Sequence, residues 1–102
     1  MQRLEGEKIL IMKREILIEW DHKSLEHIYR HSITEQEVEN AVNGRILIRS
    51  TTRKAEKLKE VIGESHGRVL FVVLKLYGER YRVITARDAT GAGNKLYMRR
   101  GK

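Results

Sequence analysis

An unbroken apolar run followed by a tight turn limits the fold of this chain more than any other feature. The segment Val69 to Leu74 contains only apolar residues, most of them β-branched or aromatic, as is typical of a strand buried on both faces. Tyr77-Gly78-Glu79 follows, and glycine accepts the positive φ that a tight hairpin turn needs. Tyr81 to Ala86 predicts a second strand. The sequence therefore predicts a central antiparallel hairpin, and its second strand and flanks carry Arg80, Arg82 and Arg87.

The length of 102 residues fits one domain with a single modest core, expected over about residues 16–97. Residues 1–14 are either an extension or a loosely ordered start, and Ile9 to Met12 fits an edge strand or a short helix. The chain has no cysteine, which favours a reducing cytoplasm and excludes disulfides. No apolar run is long enough to cross a bilayer, so we expect a cytoplasmic protein without a membrane partner.

The net charge of +7 is unevenly distributed along the chain. Residues 1–50 contain 8 Lys/Arg and 9 Asp/Glu, a net charge of −1, whereas residues 51–102 contain 13 and 5, a net charge of +8. A basic half built on a rigid hairpin suits a polyanion, because phosphate contacts release counterions and dominate such binding. Composition alone fits a basic protein without a nucleic-acid partner equally well.

An amphipathic helix is predicted after Asp21, whose carboxylate is a typical N-cap. One side of this helix is expected to pack inward through Leu25, Ile28 and Tyr29. The other side is basic and carries Lys23, His27, Arg30 and His31. The helix is expected to end near Ser32. Before it, Ile16 to Ile18 predicts a short strand that ends at Trp20, which is expected to anchor the core.

A second helix is marked by a capping box of Thr34 and Glu37, and Asn43-Gly44 is expected to end it. Strands are then predicted over residues 45–50 and 57–65, with a polar turn at Thr51 to Lys54. The predicted fold class is α+β. It consists of one compact domain in which an antiparallel sheet of about four to five strands carries two helices from the N-terminal half, followed by a short C-terminal helix.

Several landmarks in this order are similar to the BrnT family of type II toxins, which share the fold of the RelE ribonucleases. They are Trp20-Asp21, His27-Ile28, Arg30-His31, Thr34-x-x-Glu37, Gly67-Arg68-Val69-Leu70, Tyr81 to Thr90 and Tyr97. The resemblance implies a RelE-like α+β toxin that cleaves mRNA and inhibits translation. It also implies that no metal or small-molecule cofactor is needed, and that a cognate antitoxin neutralises the protein. We expect that antitoxin to be a small DNA-binding protein with an acidic segment.

Two residues depart from the family pattern. Ser32 stands where a glycine is common, and Gly93 stands where a glutamate follows Thr90 by three residues. If that glutamate only completes a capping box, its loss costs a cap. Gly91 and Gly93 would each weaken the first helical turn by roughly 1 kcal/mol relative to alanine, so a short, frayed or displaced helix is expected. If the glutamate has a chemical role, the protein would bind RNA without cleaving it.

Metal-free RNA cleavage needs a base, an acid and fixed cations for the charge that develops on the phosphate. Arg82 and Arg87 are the predicted stabilising cations, because arginine stays protonated and binds phosphate through paired donors. His31 is the first candidate for proton transfer and His27 the second. Tyr97 could donate a proton or stack on a base. The predicted RNA-binding residues at the basic rim are Lys23, His27, Arg30, Arg68 and Arg80.

Strand geometry sets a condition on this site. Residues 82 and 87 are five apart, so in a regular strand they point to opposite faces, and they share a face only if the strand ends or bulges near Thr85. His27 and His31 are spaced for a shared metal, but no third ligand is evident, so no metal site is predicted. Two alternatives to a nuclease remain, a non-catalytic RNA-binding module and an interaction domain with an acidic protein partner. The sequence leaves open whether the protein is a homo-oligomer and whether the mRNA is bound to the ribosome.

Overall fold

The computed structural model describes residues 10–12 and 16–100. In this part of the chain a five-stranded antiparallel sheet has the strand order β1-β2-β3-β4-β5, and three helices pack on it. The strands are β1 (Leu10–Met12), β2 (Ile46–Arg53), β3 (Glu56–Ser65), β4 (Arg68–Tyr77) and β5 (Arg80–Asp88). The helices are α1 (His22–Arg30), α2 (Glu35–Val42) and α3 (Gly91–Arg100). The predicted α+β class is confirmed. None of these helices is long and apolar enough to cross a membrane.

Two-residue turns join the four long strands, so the predicted central hairpin is confirmed and its strands are longer than expected. Gly78 takes a φ of 64° at the turn between β4 and β5, as the hairpin requires. His66 and Gly67 both take positive φ, 48° and 90°, at the turn between β3 and β4. The turn between β2 and β3 is at Lys54 and Ala55, after the strand has continued through the polar residues where the turn was expected.

The helix starts follow the predicted capping residues. The Asp21 carboxylate accepts a hydrogen bond from the Ser24 backbone N–H at 2.8 Å, and the Thr34 hydroxyl accepts one from that of Glu37 at 3.2 Å. After α1 the chain turns at Ser32, whose φ of 57° is in the left-handed region. A serine adopts this conformation at a cost of about 1 kcal/mol that glycine avoids, which explains why glycine suits this position.

The sheet is covered on both faces, but unequally. On one face α1 and α2 form the main core with the strands, and its largest fully buried side chains are Ile28, Ile33, Val38, Val42, Ile46, Val61, Leu70, Val72 and Leu74. On the other face α3 covers only one end, where Tyr97 packs against Leu47 and Val69. The rest of this second face, which we call the open face, includes Arg49 of β2, Glu60 of β3, and Phe71, Val73 and Lys75 of β4.

Three expectations need correction or refinement. The strand expected at Ile16 to Ile18 is reduced to one parallel bridge between Ile18 and Tyr81, because the chain turns at Asp21 to begin α1. Tyr29 is half-exposed instead of packed inward, and its hydroxyl donates to Glu35 at 2.8 Å. Leu10–Met12 forms an edge strand on β2. The remaining residues among the first 14 lie outside the described residues.

Helix α3 extends over ten residues despite its two glycines. The Thr90 hydroxyl accepts a hydrogen bond from the Gly93 N–H at 3.4 Å, so the cap survives without a glutamate at position 93. Burial of Tyr97 and Leu96 against the sheet stabilises the following turn. The helix therefore spans ten residues and packs on the sheet, so the expectation of a short or displaced helix is wrong.

Candidate active site on strand β5

A β-bulge sets the direction of the two predicted catalytic arginines. Val73 pairs with Thr85 and Leu74 pairs with Val83, so Ile84 is an extra residue in β5. As a result, Arg82 is opposite Lys75 and Arg87 is opposite Phe71. Because Phe71 and Lys75 are an even number of residues apart on β4, both arginines lie on the open face. The bulge that a common face for Arg82 and Arg87 requires is therefore present near Thr85.

The two guanidinium groups do not converge on one point. Arg87 Cζ lies 4.5 Å from the centre of the Phe71 ring, and Arg82 Cζ lies 4.7 Å from that of Tyr77. Their partners on β4, Phe71 and Lys75, are roughly 13 Å apart along the strand. The two arginines are therefore separate cations along the same face of the sheet.

Arg82 lies in a cleft of about 380 Å³ between the start of α1 and β5. Its NH1 is 3.3 Å from the Asp21 carboxylate, and its Nε is 3.9 Å from that of Glu19. This Nε is buried and makes no hydrogen bond within residues 16–100. The Ser24 backbone N–H lowers the pKa of Asp21, and Arg82 lowers it further. Lys23 and His27 line the same cleft, so the structure brings three predicted residues together there.

Helix α1 places His27 next to the bulge. The His27 Nε2 lies 3.0 Å from the Thr85 hydroxyl oxygen, across 58 residues of sequence. Thr85 and Arg87 are two residues apart on one strand, hence roughly 7 Å apart on one face. The ring centre of His31 is 5.8 Å from that of His27. The two histidines thus form an adjacent pair, and His27 is the member that contacts β5, at Thr85.

Arg68 is held by two acidic side chains. It donates to Asp88 at 2.7 and 3.1 Å and to Glu37 at 3.1 and 3.2 Å. Its NH1 also donates to the Ser32 carbonyl at 3.0 Å, directly after His31. The hydrogen bonds from Arg68 lower the pKa of Asp88. In this arrangement Arg68 fixes the turn that carries His31, and its donors do not extend towards a ligand on the surface.

The other predicted site residues are more scattered. Tyr97 is buried beneath α3, with its hydroxyl donating to the Arg45 carbonyl at 2.8 Å, and burial raises its pKa. It therefore presents neither its ring nor its proton to the open face. Arg30 is exposed in the last turn of α1, and Arg80 is exposed at the start of β5. Both are accessible to a polyanion, and neither is part of the cleft.

Sequence reasoning missed three side chains that shape the site. Thr85, which contacts His27, was considered only as the place where a bulge was needed. The sequence places Phe71 in the apolar run and Tyr77 at the hairpin turn, and neither position predicts that these rings lie beneath the arginines. Their positions at i and i+6 on β4, with Lys75 between them, are the signal that could have indicated one shared face.

A sequence model for the family described as ribonuclease toxin, BrnT, of type II toxin-antitoxin system matches residues 20–92. This span is more than half of the chain. It includes both histidines, Thr85 and the two arginines of the open face, whereas Tyr97 lies beyond it. The comparison with curated proteins gave no match, and neither did the comparison with solved structures. From the family match it follows that the chain belongs to the BrnT family of type II toxin–antitoxin ribonuclease toxins.

Proposed function

We propose that this protein is a metal-independent endoribonuclease that cleaves mRNA and so inhibits translation until its antitoxin binds. The observation that carries the proposal is the contact of His27, which has His31 next to it, with Thr85 on the strand that carries Arg82 and Arg87. Family membership supports the nuclease activity, and the geometry supports this location for it.

The proposed reaction needs only the RNA and these side chains. The 2′-oxygen forms a bond to the adjacent phosphorus while the bond from phosphorus to the 5′-oxygen breaks. One histidine accepts the proton of the 2′-hydroxyl, and the other donates a proton to the leaving 5′-oxygen. The products carry a 2′,3′-cyclic phosphate and a 5′-hydroxyl. Two imidazoles suit both steps, because histidine gains and loses protons near neutral pH.

In the proposed reaction the cations stabilise the negative charge of phosphates and do not transfer protons. Arg87 is two residues from Thr85 on the same face, so its guanidinium is well placed for the phosphate whose negative charge increases in the transition state. Arg82 and Lys23 then bind a neighbouring phosphate in the cleft beside α1. Arg82 is partly neutralised by Asp21, and a phosphate would compete with that carboxylate for its donors.

The family implies an antitoxin partner, and the cations of the open face indicate the chemistry of the segment that binds there. A type II toxin has an antitoxin partner, and the open face carries the cations Lys75, Arg82 and Arg87 on β4 and β5. We therefore propose a small DNA-binding antitoxin, whose acidic segment lies over the cations of β5 and excludes mRNA.

The test is cleavage of a labelled mRNA by the purified protein in the presence of EDTA. We expect fragments with 2′,3′-cyclic phosphate and 5′-hydroxyl ends, and no cleavage where the attacking nucleotide is 2′-deoxy. Fragments with 5′-phosphate ends would contradict the mechanism. Salt-dependent RNA retention without any fragments would instead favour a non-catalytic RNA-binding module. This is the alternative that follows if the glutamate replaced by Gly93 has a chemical role.

A further inference from the structure

A separate pocket of about 230 Å³ lies on the open face beside the start of α3. Its apolar walls come from Leu47, Ile62, Phe71, Ala92 and Leu96. Its polar walls come from Arg49, Glu60, Arg87 and Thr90. The proposed cleavage reaction does not use this pocket, although Arg87 belongs to both places. A mostly apolar cavity with a few fixed polar groups is the usual form of a site for a small planar group.

The sheet register places this pocket next to the proposed reaction centre. Glu60 and Thr85 pair with Val73 from its two sides, so they occupy one row across the sheet. Ile62 and Arg87 pair with Phe71 in the same way and form the neighbouring row. A nucleotide whose phosphate lies near Thr85 and Arg87 can therefore extend its base into the pocket.

The Glu60 carboxylate is the most distinctive polar group in the pocket. It is buried, with one oxygen 2.6 Å from Arg49 Nε and the other 2.7 Å from Arg53 NH2. Burial raises the pKa of Glu60, but the hydrogen bonds from the two arginines outweigh that effect and hold it below the ordinary value. The carboxylate is thus ionised, and each oxygen keeps a further lone pair for a ligand.

Guanine is the base whose edges fit these groups. It offers two neighbouring N–H donors, at N1 and N2, to a carboxylate, and two neighbouring acceptors, O6 and N7, to a guanidinium. Adenine and cytosine offer an amino group without a neighbouring ring N–H, and uracil offers a ring N–H without a neighbouring amino group. The aliphatic walls supply most of the apolar contact that a base needs on its faces, and the Phe71 ring, which Arg87 covers at 4.5 Å, lines the pocket beside them.

We propose that this pocket binds a guanine base of the RNA, with Glu60 and Arg87 as its specificity-determining residues. The proposal rests on the proposed function for its biological meaning, since it names the nucleotide next to the cleaved bond. It does not need cleavage to be tested, because a mononucleotide carries both the base and a phosphate.

The test is the binding of GMP, AMP, CMP and UMP to the full-length, isotopically labelled protein by NMR titration. We expect GMP to bind about tenfold more tightly than CMP or UMP, with shifts centred on Phe71, Ala92 and Gly93. Ala92 is exposed and lines the pocket, so Ala92→Phe fills the opening without altering the core. This variant should weaken GMP binding about tenfold.

Two variants serve as controls. Asn94→Phe adds the same ring to the same helix at an exposed position that does not line the pocket, and Ala92→Ser changes the pocket residue without filling it. Both should bind GMP within about twofold of the original protein. Equal affinity for all four nucleotides, shifts elsewhere, no GMP binding, or unchanged binding by Ala92→Phe would each overturn the proposal. Selective GMP binding by a protein that cleaves no RNA would refute the nuclease and leave the pocket assignment intact.

Discussion

Arg82 and Arg87 project from the same face of the sheet although five residues separate them, because Ile84 is accommodated as a bulge. Without that extra residue one of the two cations would lie on the face that α1 and α2 cover. The bulge also brings Thr85 to His27, on a helix 58 residues earlier in the chain. One local irregularity therefore determines which side chains can act together.

Replacing Arg87 with alanine should reduce RNA cleavage by about 10²–10³-fold, because a fixed donor for the transition-state charge is lost. Arg82→Ala should weaken RNA binding more than it slows the cleavage of bound RNA, since in the proposed complex Arg82 binds a phosphate next to the reacting one. Single-turnover cleavage assays at saturating and limiting RNA concentrations separate these two effects. Arg99→Ala, an exposed position on α3, is the matched control. Equal cleavage by Arg87→Ala and the control would refute the role of Arg87.

The two histidines should give a bell-shaped dependence of the cleavage rate on pH, since one must be neutral and the other protonated. His27→Gln and His31→Gln should each lower the rate by about 10²–10⁴-fold, and each should remove a different limb of the curve. The measurement is the single-turnover rate from about pH 5 to about pH 9. An unaltered curve in both variants would mean that other groups transfer the protons.

Arg68→Ala should lower the free energy of unfolding by about 1–3 kcal/mol at pH 7, because Glu37 loses its charged partner. Asp88 is mostly exposed, so its share of that loss is small. Hydrogen bonds lower the pKa of Glu37 below 4.5 and the pKa of Asp88 below 3.8 in the folded protein. The largest contribution comes from the Thr34 backbone N–H for Glu37, and from Arg68 for Asp88. The stability that they contribute is therefore present above these values and is lost as the pH falls through the lowered values.

Urea unfolding at pH 7 and at about pH 3 tests this sign. The original protein should lose more stability on acidification than Arg68→Ala does, since the variant lacks the pairs that protonation breaks. Equal losses in the two proteins would show that Arg68 contributes nothing to the acid sensitivity.

Gly63→Ala should destabilise the fold by about 3 kcal/mol. A Cβ at this position would lie 2.1 Å from the Ala41 carbonyl oxygen, so α2 would have to move away from β3. Thermal unfolding measures the effect. Gly91→Ala is the control, since its Cβ would meet no atom within 4 Å, and it should leave the melting temperature unchanged or slightly raised. Similar melting temperatures for the two variants would contradict the close packing of α2 on the sheet.

Tyr97→Phe distinguishes a packing role from a catalytic one. Its hydroxyl donates to the Arg45 carbonyl, so its removal should cost about 1 kcal/mol of stability. The cleavage rate of the folded variant should be unchanged, because the ring is buried away from the open face. A large loss of cleavage with normal stability would restore Tyr97 as a catalytic residue.

Local signals in the sequence account for much of the fold. The hairpin turn at Gly78 and the capping residues Asp21 and Thr34 each depend on neighbours a few residues away, and each is found where it was predicted. The prediction of a strand at Ile16 to Ile18 was wrong, because the apolar pattern alone does not show that α1 begins immediately afterwards.

The candidate site was harder to predict, because its contacts join distant parts of the chain. Arg68 looked like a free basic residue, yet its carboxylate partners are 31 and 20 residues away in sequence, at Glu37 and Asp88. The sequence shows that Arg82 and Arg87 need a bulge to share a face, but it does not predict that the bulge forms. No residue in β5 marks it, since a bulge depends on how the neighbouring strand pairs.

The strand order of the sheet has a consequence for when activity can appear. Each long strand pairs with the next one in sequence, so the meander can form progressively as the chain leaves the ribosome. The meeting of His27 with Thr85, however, joins an early helix to the last strand. A chain that has been synthesised only as far as β4 therefore lacks this contact, and the proposed cleavage of mRNA would have to wait until β5 has been made.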